Sequence, residues 1–188
     1  MSEDLKLNLG CGQNFLPGYI NVDKEGEPDF RFDLETFPWP WANNSAQEVV
    51  LHHVLEHLGE TTNSFLSIMK ELYRICRPDA VVKIVVPHPR HDSFLSDPTH
   101  VRAINETTIS LFSKAKNLEW KRARVANSPL ALYLGVEFEI KKLNFELDEP
   151  WYSKFELGKL DRQGVFDALA RYNNVAHSIS MELKVVKG

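Results

Sequence analysis

Apolar residues recur along this chain in two patterns, alternation and helical spacing. Leu5, Leu7 and Leu9 alternate with polar residues, which is typical of a strand with one buried face. Comparable alternating or continuous apolar runs predict six further strands, at about residues 19–23, 30–33, 46–51, 80–86, 136–147 and 177–186. The fourth run ends in the continuous apolar segment Val49–Leu51, and the fifth is apolar apart from Lys83, which favours strands buried on both faces of a parallel sheet.

Helical spacing is clearest between the fourth and fifth predicted strands. Thr62 or Asn63 could cap this helix, and Pro78 would stop it. Weaker patterns predict helices over about residues 106–116 and around residues 165–169. The apolar stripe of the first helix comprises Phe65, Ile68, Met69, Leu72, Ile75 and Cys76.

A glycine turn follows the first predicted strand directly, and an acid ends the second. Gly10-Cys11-Gly12 would let a ligand approach the backbone, and Asp23 would lie beside it at the carboxyl edge of a parallel sheet. A dinucleotide site instead requires G-x-G-x-x-G opening a helix, with an acid ~20 residues later. Here Phe15 occupies the third glycine position, and Asp23 follows Gly10 by only 13 residues. The spacing therefore argues against a bound dinucleotide.

Three stretches carry a family resemblance. They are LNLGCG followed by NVD, the VVLHHVLEHL run after the fourth strand, and ELYRICRPDAVVKIVVP. Together they resemble the motifs of class I S-adenosylmethionine-dependent methyltransferases. Asn8 stands where that family often has an acid, and Gln13-Asn14 replace its usual small residue and third glycine.

The resemblance implies S-adenosylmethionine as the cofactor and S-adenosylhomocysteine as its product. Gly10 should admit no side chain, and Gly10→Val should block the cofactor with the fold largely retained. Asp33 could instead simply cap a turn, as aspartate often does. The implied contacts are the methionine part for Asn8, Gly10, Cys11 and Gly12, the ribose for Asp23, the adenine for Asp33 and Leu34, and the sulfonium neighbourhood for His52.

The same resemblance implies an α/β, Rossmann-like class I methyltransferase fold. Its sheet would have seven strands, mostly parallel with an antiparallel edge strand, and helices on both faces. We expect residues 1–188 to form a single methyltransferase domain, which is long enough for a substantial core. Within it, we expect residues 88–135 to form a lid or substrate-loop insertion above the cofactor edge.

Three histidines are candidates for a general base: His53 first, then His91 and His100. Methyl transfer depends mostly on alignment, but a hydroxyl acceptor benefits from a base, and histidine titrates in the useful range. His53-Val54-Leu55-Glu56-His57 also matches the H-x-x-E-H of inverted zinc metalloproteases. Some ubiquinone-pathway O-methyltransferases hold a divalent ion at similar positions. We predict no metal, and name His53, Glu56 and His57 as the candidates if one binds.

Charge and composition narrow the choice of function. A net charge of −4 gives no general attraction to nucleic acid or anionic membranes. Two cysteines and no apolar run of ~18 residues indicate a cytoplasmic protein with no membrane partner.

We predict an enzyme that methylates oxygen or nitrogen of a small molecule. The basic stretch over residues 114–124 leaves a nucleic-acid methyltransferase open, although no N-P-P-Y-like tetrapeptide follows Leu51. The altered glycine loop also leaves open a non-catalytic module that binds S-adenosylmethionine.

Overall fold

Seven strands form one sheet in the computed structural model, which describes residues 5–188. Across the sheet their order is β3-β2-β1-β4-β5-β7-β6. The first five strands pair in parallel, and β7 runs antiparallel to β5 on one side and β6 on the other. The antiparallel strand thus lies one place in from the edge that β6 forms. The strands are β1 (Leu5–Leu9), β2 (Ile20–Asp23), β3 (Phe30–Arg31), β4 (Ala46–His52), β5 (Cys76–Pro87), β6 (Phe138–Leu147) and β7 (Ala176–Val185).

All the helices in the described part of the chain follow β4. A 3-10 turn, Leu55–His57, comes first. None of the helices is both long and apolar enough to cross a lipid bilayer. The α-helices are α1 (Thr62–Ile75), α2 (Asp92–Leu95), α3 (Glu106–Ser110), α4 (Lys114–Ala123), α5 (Leu130–Leu134), α6 (Trp151–Glu156) and α7 (Arg162–Arg171).

Helix α1 confirms the predicted apolar stripe and differs slightly at both ends. It is capped one residue earlier than predicted, because the Thr61 side chain accepts a hydrogen bond from the Ser64 N–H at 3.1 Å. It ends at Ile75, and β5 begins at Cys76 without a loop, so Pro78 lies inside the strand. The buried stripe is Phe65, Ile68, Met69, Leu72 and Ile75.

The predicted helix over residues 106–116 is two helices, α3 and α4. Asn105 caps α3 and Ser113 caps α4, and each side chain accepts a backbone N–H three residues on. The break turns Phe112 into the core, where it and Ile109 are fully buried. The second half of residues 88–135 is therefore anchored in the core, and the part before Ile104 is more exposed.

The core lies on one face of the sheet, against α1 and α3. Strand side chains on this face are Leu7, Leu9, Val49, Leu51, Val82, Ile84, Ile179, Met181 and Leu183. The opposite face carries both apolar and polar side chains, including Glu48 with an ion pair to Lys6 at 3.8 Å and another to Lys83. The fold class is confirmed, although no described helix connects the strands from β1 to β4.

An ion pair on α1 holds the loop between β3 and β4. Arg74 binds both carboxylate oxygens of Glu71, at 2.7 and 2.8 Å, and donates to the backbone oxygens of Trp39 and Trp41. Glu71 also accepts the Trp39 N–H at 2.6 Å. The Arg74 hydrogen bond lowers the pKa of Glu71. Trp39 is thereby packed into the core.

Candidate functional site

The glycine turn after β1 is bound to the end of β2. Gly10 N–H and Cys11 N–H both donate to the Val22 carbonyl, at 2.8 and 3.0 Å. Gly12 N–H donates to Asp23 Oδ2 at 2.8 Å, and Glu25 N–H donates to Asp23 Oδ1 at 3.0 Å. The predicted neighbours, turn and acid, are therefore in direct contact, and the Asp23 carboxylate is held in a fixed orientation at the carboxyl edge of the sheet.

The two glycines of this turn are needed for different reasons. Both have positive φ angles, +67° at Gly10 and +49° at Gly12. A Cβ atom on Gly10 would lie 2.1 Å from Val54 Cγ2, whereas a Cβ on Gly12 would meet nothing within 4 Å. The expectation that Gly10→Val leaves the fold intact is wrong, because that position is filled by Val54. The open space belongs to Gly12.

Asn8 supports the turn from behind. Its side chain is buried, and its Nδ2 donates to the Asn14 carbonyl at 2.7 Å and to Asn21 Oδ1 at 2.9 Å. Cys11 is also buried, and burial together with the nearby Asp23 raises the pKa of its thiol. Asn8 therefore orders the segment that replaces the family's third glycine, and Cys11 packs beneath the turn.

Asp33 and Leu34 follow β3 and turn in opposite directions. The exposed Asp33 carboxylate accepts the Glu35 N–H at 2.9 Å, which is the turn-capping geometry considered above. The Leu34 side chain is buried, and its carbonyl accepts the Trp39 indole N–H at 2.9 Å. One Asp33 oxygen is thus used in a turn, and the role of both residues toward adenine stays a prediction.

His52 and His53 lie at the carboxyl end of β4, with ring centroids 4.8 Å apart. Burial is the main cause that lowers the pKa of His52. His53 has a φ of +54°, an uncommon conformation for a residue other than glycine, and its Nδ1 lies 3.3 Å from Glu56 Oε1. That contact raises the pKa of His53, and the charge of Glu146 contributes in the same direction. Strain at such a position is often associated with function.

The other two candidate bases lie elsewhere and have their ring nitrogens occupied differently. His91 caps α2: its Nδ1 accepts the Ser93 N–H at 3.0 Å, and its Nε2 therefore carries the proton and donates to Asp148 at 3.0 Å. His100 Nδ1 donates to the Phe94 carbonyl at 2.9 Å. Both ring nitrogens of His91 thus make hydrogen bonds. Nε2 of His100 makes no hydrogen bond to any described residue.

The sequence prediction missed Glu146 and Ser178, which lie at the same edge of the sheet. The buried Ser178 hydroxyl donates to Glu146 Oε2 at 2.7 Å, and His177 Nε2 lies 3.0 Å from the same oxygen. The Ser178 hydrogen bond is the main cause that lowers the pKa of Glu146. Only the register between β6 and β7, which pairs these two residues, could have drawn attention to them.

A cavity of about 570 Å³ opens beside this group, between β6 and the helices α6 and α7. Glu146 and His177 form part of its polar lining, together with Arg162. Its volume lies within the range of small-molecule sites, which are mostly apolar with a few polar groups. The apolar lining consists of Leu143, Phe145, Leu147, Tyr152, Phe155, Val165 and Phe166.

Several solved structures with the same fold are S-adenosylmethionine-dependent methyltransferases. One from Archaeoglobus fulgidus is 16% identical with a TM-score of 0.59, covering 97% of this chain and 87% of its own. Another from Methanosarcina mazei is 13% identical with a TM-score of 0.58, covering 100% and 95%. The [4+2]-cyclase SpnF is also similar, at 15% identity and a TM-score of 0.53 over 97% and 74%. No protein-family model and no curated protein matches the sequence.

These similarities establish the class I methyltransferase fold for this chain. Because the identities are low and a cyclase shares the fold, the reaction must be argued from the site itself.

Proposed function

We propose that this protein is an S-adenosylmethionine-dependent methyltransferase that acts on oxygen or nitrogen of a small-molecule acceptor. The observation that carries the proposal is the hydrogen bond between Gly12 and Asp23, 2.8 Å long, at the carboxyl ends of β1 and β2. It joins LNLGCG to NVD, the first stretch that carried the family resemblance, in a fold shared with solved methyltransferase structures.

The residues around this bond fit the proposed cofactor. The space above Gly12 is open, so a ligand can lie against the backbone there. Asp23 is partly exposed, and each of its oxygens accepts one backbone N–H, which leaves further lone pairs for two ribose hydroxyls. Between the turn and β2, where every residue is described, the chain forms no helix that could bind phosphate, which suits a cofactor without phosphate. We assign the methionine part to Gly12, the ribose to Asp23, the adenine to Asp33 and Leu34, and the sulfonium neighbourhood to His52.

On the acceptor side, His53 is our candidate for the general base. A bound cofactor would supply an electrophilic methyl group, and the protein then has to orient the acceptor and remove its proton. Glu56 Oε1 orients the His53 ring through Nδ1–H, which leaves Nε2 as the proton acceptor. The buried Glu56 carboxylate also stabilises the imidazolium that forms.

The cavity beside β6 supports a small acceptor. It is about 570 Å³, mostly apolar, and shares Glu146 with the electrostatic surroundings of His53. A nucleic-acid acceptor would need a positive surface, and the polar lining of this cavity includes Glu146 and Glu156 beside Arg162. The chemistry of the lining therefore favours an apolar acceptor with a polar end.

Calorimetric titration with S-adenosylmethionine and S-adenosylhomocysteine tests the cofactor assignment. We expect one site per chain, and the absence of binding would refute the proposal. A methyl-release assay with a panel of small alcohols, phenols and amines then tests the reaction. Binding without turnover on any acceptor would favour a non-catalytic module, and tight, salt-sensitive binding of RNA or DNA would favour a nucleic-acid methyltransferase.

A further inference from the structure

We infer that Glu56, His57 and His100 form a binding site for one divalent transition-metal ion, such as Zn²⁺. A carboxylate oxygen of Glu56 and one ring nitrogen of each histidine lie within 4.8 Å of one another. The sequence analysis named Glu56 and His57 as candidate ligands together with His53, and did not include His100. The fold brings in His100 instead, and His53 contacts Glu56 through Oε1, at 3.3 Å from its Nδ1. This inference does not depend on the proposed methyl transfer.

Backbone hydrogen bonds bring the three side chains together. The 3-10 turn after β4 presents Glu56 and His57. The Glu56 carbonyl accepts the N–H groups of Val101 and Arg102, at 3.0 and 3.1 Å. This fixes the segment before α3 against the turn, so that the rings of His57 and His100 lie with centroids 4.7 Å apart. The backbone of the fold therefore holds together two rings that are 43 positions apart in the sequence.

The hydrogen bonds of the two histidines leave a free nitrogen on each. His100 Nδ1 donates to the Phe94 carbonyl at 2.9 Å, so Nε2 carries no proton in the neutral ring. Thr99 Oγ1 donates to Asp97 at 2.6 Å and therefore accepts from His57 Nδ1, 3.0 Å away. His57 Nε2 is then unprotonated as well. Metal-binding histidines are typically oriented by such a second acceptor at the other ring nitrogen.

Asp97 provides the nearest competing charge. Its Oδ2 lies 3.8 Å from His100 Nε2, beyond hydrogen-bond distance. The two groups could pair only if His100 were protonated. In the neutral state, Asp97 acts through Thr99 as an outer partner of His57.

The Glu56 carboxylate supplies the third ligand. The residue is 1% exposed, and its Oε1 contacts His53 at 3.3 Å. Its Oε2 is buried and has no hydrogen-bond partner among the described residues. A buried, unpaired carboxylate oxygen is unfavourable, because it has lost its hydration without compensation. A cation bound between Oε2 and the two imidazoles would remove that penalty.

Two imidazole nitrogens and one carboxylate oxygen suit zinc and neighbouring transition metals better than Mg²⁺ or Ca²⁺, which prefer oxygen ligands. Ligand atoms ~2.1 Å from one ion lie roughly 3–4 Å apart, so small side-chain rotations would close the site. Three protein ligands leave a coordination position open for water or for an oxygen of a bound molecule.

Titration of the chelator-treated full chain with ZnCl₂ by calorimetry tests the site. We expect one ion per chain, and Co²⁺ should give the visible absorption of a low-symmetry nitrogen–oxygen site. Glu56→Gln, His57→Gln and His100→Gln should each weaken zinc binding by roughly a hundredfold or more. His177→Gln, at an exposed histidine that contacts Glu146 and none of the three proposed ligands, is the matched control and should bind zinc as the wild type does.

Thr99→Val separates coordination from folding. It removes the hydroxyl that accepts from His57, together with the hydrogen bond from that hydroxyl to Asp97, and should weaken zinc binding about ten- to a hundredfold. Thermal unfolding of each variant without metal shows whether it is folded. No zinc binding by the wild type, or unchanged binding in folded His57→Gln and His100→Gln variants, would overturn the inference. Loss of the proposed methyltransferase activity alone would not, since the titration contains no cofactor.

Discussion

Replacing Asp23 tests the cofactor site most directly. In the wild type the Gly12 N–H donates to Asp23 Oδ2 at 2.8 Å. Asp23→Asn keeps a carbonyl oxygen for that N–H and removes the charge and one acceptor. A hydrogen bond to a charged group contributes about 1.5–3 kcal/mol. At 1.4 kcal/mol for each factor of ten, the dissociation constant for S-adenosylmethionine should rise roughly ten- to a hundred-and-fifty-fold. Asp23→Ala should weaken binding at least as much, because it also releases the Gly12 and Glu25 N–H groups.

Calorimetry measures both variants, with circular dichroism to show that each is folded. Glu27→Gln is the matched control, since it makes the same charge change on an exposed residue of the loop that follows Asp23. It should leave the dissociation constant within a factor of about two. A folded Asp23→Asn protein that binds S-adenosylmethionine as tightly as the wild type would refute the ribose assignment.

Three further predictions follow from other parts of the structure. Gly10→Ala should lower the free energy of unfolding by more than about 2 kcal/mol, because its Cβ would clash with Val54 and its φ is positive. Gly12→Ala should lower the free energy of unfolding less and weaken cofactor binding more. Denaturant unfolding measures the first quantity and calorimetry the second. His53→Gln should leave cofactor affinity within about 0.5 kcal/mol and reduce turnover roughly a hundredfold, and full turnover would exclude an essential base. Glu71→Gln should cost about 1–2 kcal/mol at pH 7 in urea unfolding. The pKa of Glu71 is lowered in the folded state, so this stabilisation is present above its unfolded pKa of about 4.3 and is lost as the pH falls through the folded pKa. A difference in unfolding free energy between wild type and Glu71→Gln that persists at pH 2 would contradict this reasoning.

The sequence predicted the sheet well because the signal for each strand is local. Alternation in β1 and β7 and apolar runs in β4 and β5 follow from burial on one or both faces. The prediction of one helix over residues 106–116 was wrong because Ser113 caps a second helix within that range, and apolar spacing alone treats the two helices as continuous.

The site was predictable only where its residues adjoin strand ends. Gly12 and Asp23 follow β1 and end β2, so parallel pairing brings them together. Gly10 was misread because its neighbour Val54 comes from the segment after β4, which local pattern does not identify. Two other contacts depend in the same way on residues distant in sequence. His57 meets His100 because the Glu56 carbonyl accepts hydrogen bonds from the backbone just after His100, and Glu146 meets Ser178 because the register of β6 and β7 pairs them.

The position of β7 constrains how the sheet can be completed during synthesis. It is made after the six other strands, yet it lies between β5 and β6 and pairs Val81 with Lys184 across more than half of the chain. Until residues 176–185 emerge from the ribosome, β5 and β6 each present an unpaired edge, and such edges can pair with other chains. The charged side chains Lys83, Lys141 and Lys142 on those two strands are of the kind that discourages such pairing.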